Sequence, residues 1–191
     1  MRGALVLASA SPRRQELLRA CGFELIVAPA DLDESPLPGE TPRALVARLA
    51  AAKAATIGAG VAADAIVVAA DTAVVVDGHD LGKPRDDEDA RRMLRTLSGR
   101  PHDVLTGYCV RRGATSLVDV VSTEVTFRVL ADNDIDAWLS LGQHKDKAGA
   151  YAIQGAAAAL IKTVRGSLTN VVGLPVDEVL AAIAALRTET P

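Results

Sequence analysis

Short apolar runs without polar interruption, each followed by a stretch of helical spacing, are what most constrain the fold of this chain. Leu5-Val6-Leu7, within Ala4–Ser9, reads as a buried strand. Behind it Ser11 is placed as an N-cap and Pro12 as the first helical residue, where its missing N–H costs nothing. Leu17, Leu18 and Cys21 supply an apolar stripe, and Gly22 a stop. Phe23–Ala28 reads as a second strand and Asp31–Glu40 as a loop rich in Pro and acidic residues. Thr41-Pro42 repeats the cap and opens a helix to about Ile57. Ala65–Ala70 is a further apolar strand that runs into Asp71-Thr72, continues through Ala73–Val76 and turns at Asp77-Gly78.

The second half continues the alternation. Asp86-Asp87-Glu88 followed by Arg91, Arg92 and Arg95 suits a helix dipole, and Gly99 closes that helix. Val104–Arg112 and Leu117–Val129 read as long strands joined near Gly113. Asp132 is expected to cap a short helix, Ala157–Val164 to form a strand, and Pro175–Leu186 to form a closing helix. The expected class is α/β, with a mixed sheet flanked by helices, in a single two-lobed domain over residues 1–191.

Composition excludes several alternatives. A chain of 191 residues buries roughly 70% of its unfolded surface and needs no disulfide or metal staple. Aromatic residues make up only 3%, so the core must be built from Val, Leu, Ile and Ala around the single Trp138. The same scarcity removes the stacking platforms that a single-strand nucleic-acid binder needs, and a net charge of −3 disfavours a duplex-binding surface. No apolar run approaches the roughly 18 residues of a membrane span. Met1–Ala10 is too brief a segment for a secretory leader. Two cysteines make no disulfide framework, and the expected location is cytoplasmic.

Three segments carry candidate chemistry. Ser9-Ala10-Ser11-Pro12-Arg13-Arg14 joins a strand to a helix start, whose free N–H groups and two guanidiniums suit phosphate oxygens. Asp71-Thr72 puts a carboxylate in an apolar strand, costly unless a cation or metal sits beside it. In Asp146–Gly155, Lys147 precedes small residues, and Gln154 between Ile153 and Gly155 carries an amide that matches the imide edge of uracil or thymine. Against each stands a plainer reading: a simple cap, a strand-end turn, and a buried Gln satisfied by a neighbouring strand. Lysine occurs five times against sixteen arginines, and Lys53, Lys83 and Lys147 fall in or beside these segments. With Arg13 and Arg14 they would form a cationic basin fit for a polyphosphate, with Glu34 and Asp71 as metal ligands or base.

These motifs, with Leu81-Gly82-Lys83-Pro84, Leu97-Ser98-Gly99, His102, Thr106-Gly107 and Asn170–Pro175, follow the order found in Maf proteins, which the whole chain resembles. The resemblance implies a fold similar to the inosine triphosphatases, an elongated mixed sheet with two lobes around a cleft. It also implies nucleoside triphosphate pyrophosphatase activity. Ser-Pro-Arg-Arg with Ile-Gln-Gly is similar to the branch acting on dTTP and UTP, with modified pyrimidine triphosphates as further candidates. By the same resemblance Asp71 is the proton acceptor, and Arg13, Thr72 and Gln154 set substrate choice. Ser9, Ser11, Arg14, Lys53, Lys83 and Lys147 bind phosphate, while Glu34 and Asp71 hold a divalent cation, Mg²⁺ or Mn²⁺. The chain departs from many relatives at Gln143, where they carry Glu. A homodimer with no nucleic-acid or membrane partner is the implied assembly. The alternative carried by the family's name is a non-enzymatic regulator of septum formation acting through a partner protein.

Overall fold

The computed structural model describes residues 4–188 of the chain; the ends of the expected domain, 1–3 and 189–191, lie outside the described residues. The first apolar run forms β1 (Ala4–Leu7), and Pro12 opens α1 (Pro12–Ala20). Gly22, at φ +85°, stops the helix in a conformation that costs glycine nothing. The chain then returns as β2 (Glu24–Val27), parallel to β1 from Ala4–Glu24 to Leu7–Val27. Thr41 caps α2 (Pro42–Gly58) as expected, its Oγ1 accepting the Ala44 N–H at 3.2 Å. The third apolar run is one continuous strand, β3 (Ile66–Val76), parallel to β1 at Val6–Val67 and Leu7–Val68.

A turn at Asp77-Gly78, both at positive φ, leads into the two-residue β4 (His79–Asp80), antiparallel to β3. The Asp86 carboxylate accepts the Asp89 N–H at 2.7 Å and starts α3 (Asp87–Leu97). Two long strands follow, β5 (Pro101–Arg112) and β6 (Thr115–Phe127). After α4 (Asp132–Ser140) come β7 (Ile161–Arg165), α5 (Leu168–Val172) and α6 (Val176–Thr188). The strands among the described residues order as β2-β1-β3-β5-β6-β7, with β4 on β3 and β7 antiparallel to β6, so the sheet is mixed.

The chain divides into two compact units, the boundary falling within β3 between Asp71 and Thr72. The first unit holds the chain up to Asp71, Thr106–Val121 and the chain from Gly173 on. Its core packs Leu5, Leu7, Leu18 and Val68 against Leu174, Val179, Ile183 and Leu186, with a smaller cluster of Val6, Ala50, Ala54 and Cys109. Within it β5 meets α2 closely: a Cβ added at Gly107 would lie 2.3 Å from the Val46 carbonyl oxygen and 2.7 Å from the Ala47 nitrogen. The second unit, Thr72–Leu105 with Ser122–Val172, packs Met93, Leu94 and Leu97 against Phe127, Ile135, Trp138 and Tyr151. Both cores rely on aliphatic side chains, as the aromatic count requires.

Three local expectations are corrected. Ser11 stands at the N-cap of α1, but its hydroxyl makes no capping bond; its own N–H donates to Ser9 Oγ at 3.3 Å. Asp132 is the first residue of α4 rather than its cap. The Asp134 carboxylate accepts the Ala131 N–H at 2.9 Å, while Asp132 pairs with Arg95 at 2.8 Å. The Ala-rich run Gly155–Leu160 is a 3₁₀ turn and the strand begins only at Ile161, in keeping with alanine's weak preference for strands.

Candidate active site

In the first unit, two short connections and one helix face bring charged groups together. The segment after β1 turns so that Ser9, 8% exposed, receives the Arg14 Nη1–H at 3.0 Å on its Oγ. Arg14 Nε donates in turn to the Gly173 carbonyl at 2.8 Å, which fixes the guanidinium at both ends of its fork. Burial pushes the Arg14 guanidinium below its ordinary arginine value; Asp71 and Glu34 oppose that shift and Arg13 adds to it. Four charged residues therefore share one electrostatic neighbourhood.

Lys53 completes the group. It lies on α2 with its side chain 9% exposed, and its Nζ sits 2.6 Å from Asp71 Oδ1 and 2.7 Å from Glu34 Oε1. A lysine is seldom this buried unless it is paired, and here one ammonium serves two carboxylates. Asp71 is half-buried in β3, whereas Glu34 comes from the acidic loop and is half-exposed. The expectation that a carboxylate in this apolar strand has a cation beside it is met by Lys53. In the same loop, Arg48 holds the Glu40 carboxyl down at about 2 through their hydrogen bonds, aided by the Leu37 N–H, and so ties the loop's end to α2.

The second unit carries the remaining candidates on one tethered segment. Gly149 N–H donates to the Gly82 carbonyl at 2.8 Å, so the residue before Lys83 and the residues after Lys147 are joined directly. A Cβ on Gly149 would lie 2.8 Å from Val74 Cγ1, and φ is +64° there, so only glycine fits. Trp138 Nε1–H donates to the Ala150 carbonyl at 2.9 Å. The Tyr151 hydroxyl meets His102 Nε2 at 2.7 Å, and Phe127 stands edge-on to both rings. Burial drives the His102 imidazole down to about 4, and the Tyr151 phenol up. Lys147 itself pairs with Asp146 at 2.6 Å. Lys83 and Gln154 are exposed, so Gln154 is not the buried, strand-satisfied amide of the plainer reading. Thr72, half-buried, follows Asp71 along β3.

The structure thus brings together Ser9, Arg13, Arg14, Glu34, Lys53 and Asp71 in one unit, and in the other joins the segments that carry Lys83 and Lys147 through the Gly149–Gly82 backbone bond. Sequence reasoning missed two supports. The Gly173 carbonyl orients Arg14, a contact of which the surrounding Asn170–Pro175 gives no sign. His102 is a buried structural residue, and the support the sequence does not announce is its bond to Tyr151, within the segment that carries Lys147 and Gln154. A cavity of about 330 Å³ lined by Leu5, Ile26, Asp64, Ile66, Arg112 and Arg187 contains none of the expected residues.

A sequence model of the family described as Maf-like protein matches residues 4–186. The chain belongs to the Maf family. Among its relatives, a protein from Anaeromyxobacter dehalogenans named dTTP/UTP pyrophosphatase is 56% identical over 183 residues, covering 94% of this chain and 92% of that protein. A protein of the same name from Geobacter sp. is 49% identical over 187 residues, covering 96% and 95%. Of solved structures, a HAM1 protein from Coxiella burnetii aligns over 98% of this chain and 99% of its own with a TM-score of 0.55 at 16% identity. That likeness concerns the fold alone, and it agrees with the mixed sheet expected from the Maf resemblance. No helix among the described residues is long and apolar enough to cross a membrane.

Proposed function

We propose that the protein hydrolyses dTTP and UTP to the nucleoside monophosphate and pyrophosphate. The single observation that supports this most is the Lys53 ammonium shared between Asp71 and Glu34 beside Arg14, in a chain whose relatives at 49% and 56% identity carry that activity in their names. In this reading Ser9, Ser11 and the Arg14 fork receive the phosphate oxygens, and Lys53, Lys83 and Lys147 balance the charge that grows on the departing pyrophosphate, usually the largest catalytic contribution. Asp71 accepts a proton from water as its oxygen bonds to the α-phosphorus and the bond to the bridging oxygen breaks. Arg13, Thr72 and Gln154 discriminate among bases, with the Gln154 amide facing the imide edge of the pyrimidine.

Two carboxylates offering hard oxygen donors are a donor set that fits Mg²⁺ or Mn²⁺, which such sites hold with one or two carboxylates together with substrate phosphates. Glu34 and Asp71 would hold the ion, and it would supply charge neutralisation to the phosphate oxygens. The reading includes one two-lobed domain, a homodimer and a cytoplasmic location. A panel of nucleoside triphosphates assayed for both products, with and without a chelator, tests it. The expected result is release of pyrophosphate in step with monophosphate, greatest for dTTP and UTP and abolished by chelation. Release of inorganic phosphate alone, or of neither product, overturns it.

A further inference from the structure

We infer that Lys53 acts as a resident counter-ion for the Glu34–Asp71 pair, and that this pair accepts a divalent cation only when the triphosphate arrives with it. The inference rests on the proposed pyrophosphatase reading and adds an order of events to it. Its first ground is occupancy: both carboxylates already place an oxygen within 2.7 Å of the same ammonium. A cation binding them first would have to sit beside an ammonium whose own side chain is 9% exposed and has no open water to retreat into.

The second ground is charge. Glu34 and Asp71 face Lys53, Arg14 and Arg13, and Asp71 also feels Arg48, which is paired to Glu40, so both carboxylates are already matched by resident cations. A bare dication gains little from carboxylates whose charge is already compensated. A metal–triphosphate complex is still anionic, since a triphosphate carries more charge than one divalent cation cancels, and it is attracted. The third ground is the donor count. Among the described residues no three His, Cys, Asp or Glu side chains group to hold a metal, so donors beyond the two carboxylates have to complete the coordination shell. Phosphate oxygens do this, and they also offer the Lys53 ammonium new acceptors, which frees Glu34 and Asp71 as the substrate settles.

The test follows Mn²⁺ by the loss of its free-ion electron paramagnetic resonance signal, using the full chain and no turnover. Wild type titrated with Mn²⁺ alone is expected to leave the signal intact into the millimolar range, and to bind the ion once a non-hydrolysable α,β-imido analogue of dUTP is added. Lys53→Met keeps an unbranched side chain one heavy atom shorter and removes the charge. It is expected to bind Mn²⁺ without nucleotide about tenfold or more tighter than wild type does, and adding Glu34→Gln to it should abolish that binding. Lys53→Arg, which keeps a cation between the carboxylates, should behave as wild type and guards against a folding artefact in the methionine variant. Tight Mn²⁺ binding by nucleotide-free wild type, or a Lys53→Met protein that is folded by circular dichroism and still ignores the bare ion, overturns the inference. Either outcome leaves the proposed activity standing if pyrophosphate release is intact. Failure of the nucleotide panel would instead remove the reading beneath it.

Discussion

The cluster around Lys53 and the segment from Lys147 to Gln154 hold their functional candidates by opposite means. In the first, charge does the positioning: an ammonium shared by two carboxylates, and a guanidinium tied to a hydroxyl and a carbonyl. In the second, the candidates are placed by what surrounds them, through Gly149 on Gly82, the Trp138 indole on the Ala150 carbonyl, and Tyr151 in a trio of buried rings. The difference teaches that a charged site can be its own scaffold when the partners are scarce residues, whereas an exposed side chain such as Gln154 needs a rigid backbone beneath it. The two regions should therefore respond to different perturbations.

The largest expected effect separates them at once. Asp71→Asn should leave the fold intact by circular dichroism and lower turnover about 10²–10⁴-fold, as loss of a positioned base does. Turnover near wild type would take the proton-acceptor role from Asp71. Next comes acid sensitivity. Because the folded His102 imidazole sits at about 4 and an unfolded one near 6.5, the unfolded chain takes up the proton first as pH falls. Stability is then full above about 6.5 and declines as pH drops towards 4, by about 3 kcal/mol in total. Denaturant midpoints measured from pH 7 to pH 4 should show this fall, and His102→Gln, which does not titrate, should flatten it. The carboxyls of Asp89 and Asp134 respond in the same direction but in a lower pH window. Arginine hydrogen bonds from Arg92 and Arg128 hold them at about 2, so their contribution persists through that window and is lost only as pH falls from about 4 to 2.

A smaller effect probes the ring trio itself. Tyr151→Phe removes one hydroxyl and leaves His102 Nε2 buried without its partner, at a cost of about 1–3 kcal/mol. Denaturant unfolding reads it, and the same variant should narrow the ratio of kcat/KM for UTP over CTP, a ratio that loss of folded protein alone would not change. The smallest is Gln154→Ala. Its amide is exposed, so stability should stay within about 0.5 kcal/mol, while the preference for dTTP and UTP over purine triphosphates falls by about threefold to tenfold, the worth of one hydrogen bond. An unchanged ranking across the panel would end its role as base reader.

How much of this was legible in the sequence follows the same division. Arg14, Lys53 and Asp71 were visible because charges next to apolar strands are costly and need partners, and a chain with five lysines has few to offer; Ser9 was visible from its place where a strand turns into a helix. The element starts at Pro12, Pro42 and Asp87 were visible because proline and capping carboxylates act locally. The strand expected over Ala157–Val164 fails across Ala157–Leu160, since small apolar side chains suit a 3₁₀ turn as well as a pleat and no periodicity decides between them. The His102–Tyr151 bond spans 49 residues of chain, and nothing local to either residue announces it. Backbone acceptors such as the Gly173 carbonyl are equally silent, because every residue has one.

Gly107 gives the charged cluster a dependence that its ionic partners do not reveal. The strand at that point leaves no room for even a methyl group beneath Val46, and Lys53 stands two helical turns further along the same helix. Any side chain there would act as a shim, lifting α2 and carrying the ammonium away from both acids together. The reach of the shared ammonium is thus metered by a residue that has no side chain at all.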